Sequence, residues 1–174
     1  LHLCNKNMVN MEKIATSTTS DTLLAEVCYA AKEEGDSIKT HYPPYQNKYV
    51  DVGSTICTVL ARSFADIGDI VRGKDLFLGH NQRKKKLEER LEKMFENIKE
   101  NNSKLKSLTD DQIREYWWNA NRDQVWKAIT CSAEGYQYFR KTACNGGKSS
   151  IQGKCRCGND QVPTYFDYVP QYLR

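Results

Sequence analysis

Apolar positions recur along this chain at helical rather than strand spacing. Leu24, Val27, Cys28, Ala31 and Ile38 fall on one face of a helix predicted over 22–40. Ser20 or Asp21 can cap its start by accepting backbone N–H bonds. Gly35 is expected to weaken it by about 1 kcal/mol relative to Ala. The run His41-Tyr42-Pro43-Pro44-Tyr45 predicts its end, because proline lacks an N–H and restricts the residue before it. A second helix is predicted over 54–72 from Ile56, Val59, Leu60, Phe64, Ile67 and Val71, with Gly73 as its stop. The clearest amphipathic pattern is Leu87, Leu91, Met94, Phe95 and Ile98, which predicts a third helix over 81–101. Its polar face offers i,i+4 pairs such as Glu89–Lys93. A fourth helix is predicted over 109–133, capped by Thr109 or Asp110, with Asp110 and Asp111 at the positive end of its dipole. Ile113, Trp117, Ala120, Val125, Ala128 and Ile129 face inward, and at most one of Trp117 and Trp118 can point fully inside.

After Ser132 the pattern gives way to a glycine- and serine-rich loop (144–150) and then to Cys155-Arg156-Cys157-Gly158. Four helices with short connections predict an all-α fold, a disulfide-stapled helical bundle with a cysteine-rich C-terminal loop. The 174 residues suit one domain with a real core, and a mean hydropathy of −0.72 suits a polar surface. No apolar run reaches the roughly 20 residues of a membrane span, so no direct membrane insertion is expected. Seven cysteines fit an oxidising compartment, and the odd number places one partner outside the chain. The chain opens on Leu1 without a signal peptide and reads as a piece of something longer.

Several chemistries are argued against. Gly68 to Asp75 nearly spells a phosphate-binding loop, but Asp75 stands where the Mg²⁺-binding hydroxyl belongs and the segment before it reads as helix. Cys131, Cys144, Cys155 and Cys157 lack the paired spacing of a zinc site, so disulfides are expected and no metal. His2, His41 and His80 are scattered, no nucleophile elbow occurs, and no catalytic residue or cofactor is expected. Asn101-Asn102-Ser103 is a formal glycosylation sequon.

Charge changes the picture. Residues 83–106 hold nine Lys/Arg against five Asp/Glu, which accounts for the entire net charge of +4. Arg83, Lys84, Lys85 and Lys86 stand at a helix N-terminus, where they oppose the dipole and repel one another. Arg90, Lys93, Lys104 and Lys106 extend the segment. Two readings stay open: an anion site for sulfate or phosphate groups, or a solvated loop and helix face. Nucleic acid is a poor partner for a mildly basic chain in an oxidising compartment.

Leu60 to Asp75 (Leu-Ala-Arg-Ser-Phe-Ala-Asp-Ile-Gly-Asp-Ile-Val-Arg-Gly-Lys-Asp) resembles the signature of Duffy-binding-like domains. The likeness is to the alpha type, from the variant erythrocyte membrane protein of the falciparum malaria parasite. Leu76-Phe77-Leu78-Gly79, Arg114 to Trp118, Val125 to Ala128, Pro163 to Phe166 and Pro170 to Arg174 follow in matching order, so the resemblance covers essentially the whole chain. It implies the end of a first subdomain and linker over 1–20, helical subdomain 2 over 21–162 and the start of subdomain 3 over 163–174. It implies an adhesion module on the extracellular face of the infected red cell, in a parent anchored by a membrane segment elsewhere. Implied partners are red-cell or endothelial receptors, sulfated glycosaminoglycans such as heparan sulfate or heparin, and antibodies. Rosetting, cytoadherence, virulence and antigenic variation go with that family.

The resemblance also implies a sulfur pairing. Cys28 would join Cys131, Cys57 would join Cys155 or Cys157, Cys144 would take the remaining sulfur, and Cys4 would pair outside the chain. The leading expectation is glycan adhesion through Arg83, Lys84, Lys85, Lys86, Arg90, Lys93, Lys104 and Lys106. The alternative is an antigenically variable scaffold for a protein-receptor site in a missing subdomain or a neighbouring domain.

Overall fold

The computed structural model describes residues 19–49, 56–77, 82–134, 144, 151–152, 154–158 and 161–174. Among them four α-helices carry the fold: α1 (Ser20–Tyr49), α2 (Ile56–Arg72), α3 (Gln82–Glu100) and α4 (Asp110–Ile129). A small antiparallel hairpin pairs β1 (Ile151–Gln152) with β2 (Arg156–Cys157), Ile151 opposite Cys157. Two 3₁₀ turns, Phe166–Tyr168 and Gln171–Leu173, close the chain. The architecture is the disulfide-stapled helical bundle that the periodicity predicts. Cys4 and the rest of 1–18 lie outside the described residues, as does most of the loop from Thr142 to Gly153.

Helix α4 is the axis of the bundle. Thr109 starts it with a full capping box, its hydroxyl accepting from the Gln112 N–H while the Gln112 side chain accepts from the Thr109 N–H. Trp117 Nε1 donates to Ser20 Oγ of α1 at 2.9 Å, and its ring meets Phe95 of α3 edge-on at 6.0 Å. Trp118 turns the other way, onto Phe64 of α2 at 5.2 Å. Both indoles are inside, 6% and 0% exposed, although the sequence suggested room for one. Protein encloses α4 on two sides, so neighbouring positions 100° apart both find a packed surface. Ala120, expected inward, is exposed, because at 100° per residue it falls beyond Trp117 on the side away from Trp118, outside the enclosed arc.

Helices α1 and α4 run parallel. Ser20 meets Trp117 near one end, and Ser132 donates to Asp36 near the other. Gly35 lets them touch: a Cβ there would stand 2.0 Å from the Ile129 carbonyl oxygen. The residue that lowers local helix propensity is therefore the one that permits the packing. Helix α1 does not stop at Pro43-Pro44 but continues to Tyr49. Each proline removes one N–H yet keeps a helix-compatible φ. Before them, Thr40 Oγ1 donates to the Asp36 carbonyl at 2.9 Å and His41 Nδ1 meets the Ser37 carbonyl at 2.8 Å. Helix α2 ends as its sequence suggests, on Gly73 at φ 72°, with the Gly73 and Lys74 N–H groups donating to Ile70 and Asp69 carbonyls.

Two disulfides staple the C-terminal loop. Cys57 at the start of α2 joins Cys155, 98 residues away, and Cys144 joins Cys157. Cys155 sits in the left-handed region at φ 55°, held by its bridge and by Trp126 Nε1, which donates to its carbonyl at 3.1 Å. A Cys28–Cys131 bridge, implied by the resemblance, is not formed. The parallel register explains why. Cys28 lies level with about residue 124 of α4, so Cys131 is about 10 Å further along the axis at 1.5 Å per residue. A disulfide needs Cα atoms within about 7 Å.

Two outcomes follow. Gly35→Ala should destabilise the fold by about 1–3 kcal/mol in chemical denaturation, the cost of overpacking, rather than gain helix propensity. A midpoint at or above that of the unaltered chain would mean the two helices are not in contact. In the unreduced protein, a thiol reagent should label exposed Cys131 quickly and Cys28 slowly, since Cys28 is half-buried and burial raises its thiol pKa. Failure of both to label would point to a bridge between them.

Candidate functional site

The basic segment forms the first turns of α3 and runs along it. Arg83, Lys85, Lys86 and Lys93 are exposed, and Arg90 is half-buried. Lys104 and Lys106 are exposed too, but they stand on the 3₁₀ turn beyond the far end of the helix. At 1.5 Å per residue that turn is roughly 30 Å from Arg83, so the eight expected cations do not form one cluster.

Lys84 belongs to the framework instead. Its Nζ reaches Asp75 Oδ2 at 3.0 Å and stands 5.5 Å from the centre of the Phe77 ring. The Asp75 carboxylate is almost fully buried, and also accepts from Gln171 Nε2 at 3.1 Å and the Phe77 N–H at 3.3 Å. Burial pushes the Asp75 carboxyl up, but Lys84, Gln171 and the Phe77 N–H together outweigh it and hold the pKa below the ordinary value. A negative charge beside the start of α3 also suits its dipole and offsets the crowded cations there.

The opposite flank of α3 is acidic. Glu88, Glu92 and Glu96 line a cavity of about 520 Å³ with Phe95, Gly73, Asp110, Asp111 and Arg114. Arg114 spans its floor, donating from Nη1 and Nη2 to Glu88 at 2.5 and 3.1 Å, and from Nε and Nη2 to the carbonyls of Val71 and Ile70 at 2.7 and 3.0 Å. Lys99 is drawn to the same side by Asp110 at 3.1 Å. No Glu89–Lys93 pair forms, as befits an exposed contact worth a few tenths of a kcal/mol.

Behind this helix lies a buried ion network that the apolar pattern did not reveal. Asp167, fully buried, accepts from Arg122 Nε at 2.8 Å and Nη2 at 2.7 Å and from Trp118 Nε1 at 2.9 Å. Its carbonyl accepts from Arg72, which also pairs with Asp69 and Glu115, each at 3.2 Å. Arg174 reaches Asp69 and, at 3.2 Å, Asp66. Burial pushes the Asp66 and Asp69 carboxyls up, against the pull of Arg174. The signal in the sequence is spacing: Arg114, Trp118 and Arg122 are four apart, and Asp66, Asp69 and Arg72 are three apart, so each trio shares a helix face.

A family model described as the Duffy binding domain matches the chain over residues 1–174. Among curated proteins none matches it.

Asp75→Asn tests the tie between α3 and the C-terminal turns. The folded carboxyl titrates below the unfolded one, so its stabilisation is complete above the unfolded pKa of about 3.9 and fades as pH falls through the folded value. The stability gap between the unaltered chain and the Asn variant should be widest near neutral pH and close below about pH 4. A gap that does not change with pH would mean the Asp75 charge holds nothing.

Proposed function

The chain belongs to the Duffy binding domain family, extracellular adhesion modules that bind host-cell receptors, and on that premise we propose that it grips sulfated glycans through the basic face of α3. The observation that carries this reading is the surplus of cations on 83–106, held by a stapled bundle and largely exposed. Arginines supply forked hydrogen bonds to sulfate, and lysines act as point charges. We assign residues 21–162 to the helical subdomain 2, 1–20 to the end of subdomain 1 and its linker, and 163–174 to the start of subdomain 3. The alpha-type motifs of 60–75 support a place on the infected red-cell surface, with heparan sulfate or heparin as ligand and rosetting as a consequence.

A second reading has its own support. Lys84 is committed to Asp75, and two disulfides hold the bundle whatever its surface carries. A variable surface on such a scaffold suits a protein-receptor site in another subdomain or a neighbouring domain.

Retention on a heparin column separates the two. The oxidised chain should bind at low salt and elute steeply as salt rises. Arg83→Glu/Lys85→Glu/Lys86→Glu, which spares Lys84, should abolish retention with an unchanged circular dichroism spectrum. Equal elution of both proteins would favour the scaffold.

A further inference from the structure

The cations of α3 are sorted by helix geometry, and the sorting cuts across their order in the sequence. Arg83, Lys86, Arg90 and Lys93 recur at intervals of three, four and three residues, so they form a single row along one flank. Lys85 does not join it. It stands three residues before Glu88 and seven before Glu92, on the flank that lines the acidic cavity. Lys84 is turned under the helix to Asp75, and Lys99 leans to Asp110. The carboxylates of Glu88, Glu92 and Glu96 face α4 across that cavity, away from the row. Lys86 and Lys93 pair with no carboxylate among the described residues.

We infer that the row Arg83–Lys86–Arg90–Lys93, and not the contiguous run Arg83 to Lys86, is the binding surface, and that it takes a linear polyanion lying along the axis of α3. The inference rests on the glycan reading and sharpens it. Ten residues separate the ends of the row, so it is about 15 Å long with a cation every 5 Å or so. A single sulfate or phosphate engages one or two of these side chains. A polymer with regularly spaced anions spans the whole row and releases the counterions that Lys86 and Lys93 hold. The acidic flank fixes the side of approach, since a polyanion meeting α3 from the cavity would face Glu92, Glu96, Asp110 and Asp111.

The test compares two variants that lose the same charge from exposed positions: Lys86→Gln/Lys93→Gln within the row and Lys85→Gln/Lys106→Gln outside it. Affinity is measured for heparin and for heparin oligosaccharides of increasing length, over a range of salt. The row variant should bind heparin about tenfold more weakly, with its salt slope reduced by about two, while the outside variant stays within about twofold of the unaltered chain. Affinity for oligosaccharides should climb with length until about 15 Å is covered, then level off. Equal losses in both variants, or affinity independent of length, would overturn the row while leaving glycan binding intact. No retention of the unaltered chain at low salt would overturn the glycan reading, and the row with it.

Discussion

The carboxylate of Asp167 is the constraint on which the shape of this domain turns. It is shut away from water, and such a charge survives only when its partners replace the lost hydration, at a cost of several kcal/mol per ion. Arg122 and Trp118 supply those partners from α4, and Arg72 comes across from α2 to the adjacent carbonyl. Arg122 is stacked in turn over Phe64, Tyr165 and Tyr168, with centroid distances of 5.2–5.6 Å. Three separate stretches of chain must therefore arrive together for any one of them to be buried. Arg174 repeats the arrangement on Asp66 and Asp69, so residue 174 is tied to α2 by two ion pairs.

Much of the helical frame was legible because it obeys one rule at a time. A 3.6-residue period placed α2 and α3 to within two residues, and Gly73 marked an end. What escaped needed two elements at once. Gly35 looks like a flaw until the Ile129 carbonyl is set beside it. Trp117 and Trp118 look incompatible until α4 is enclosed on both sides. The sulfur pairing shows the same limit. The resemblance left Cys155 or Cys157 open for Cys57, and its Cys28–Cys131 pair conflicts with the parallel register of two helices.

The candidate site divides along similar lines. The charge surplus of 83–106 was plain in the sequence, and so was the helix that carries it. Its internal order was not, because adjacent residues on a helix point 100° apart. Four consecutive cations therefore have unlike fates: Lys84 becomes a strut for a buried aspartate, Lys85 sides with the glutamates, and Arg83 and Lys86 stand on the outer flank. The buried arginines send the opposite lesson. Arg72, Arg114 and Arg122 are as basic as any surface residue, yet they hold the interior together through carboxylates and carbonyls.

An adhesive domain is also a mechanical object. The Cys57–Cys155 bridge short-circuits 98 residues, which is about 330 Å of extended polypeptide. Once the clamps on the turns at 161–174 give way, tension along the backbone from α1 to those turns crosses at that sulfur pair, and the lengths of chain that form α3 and α4 are bypassed. The cation-bearing helix hangs on a covalently closed loop beside the line of force. Pulling can peel α1 from its neighbour, yet it cannot draw out α3 without first breaking a covalent bond.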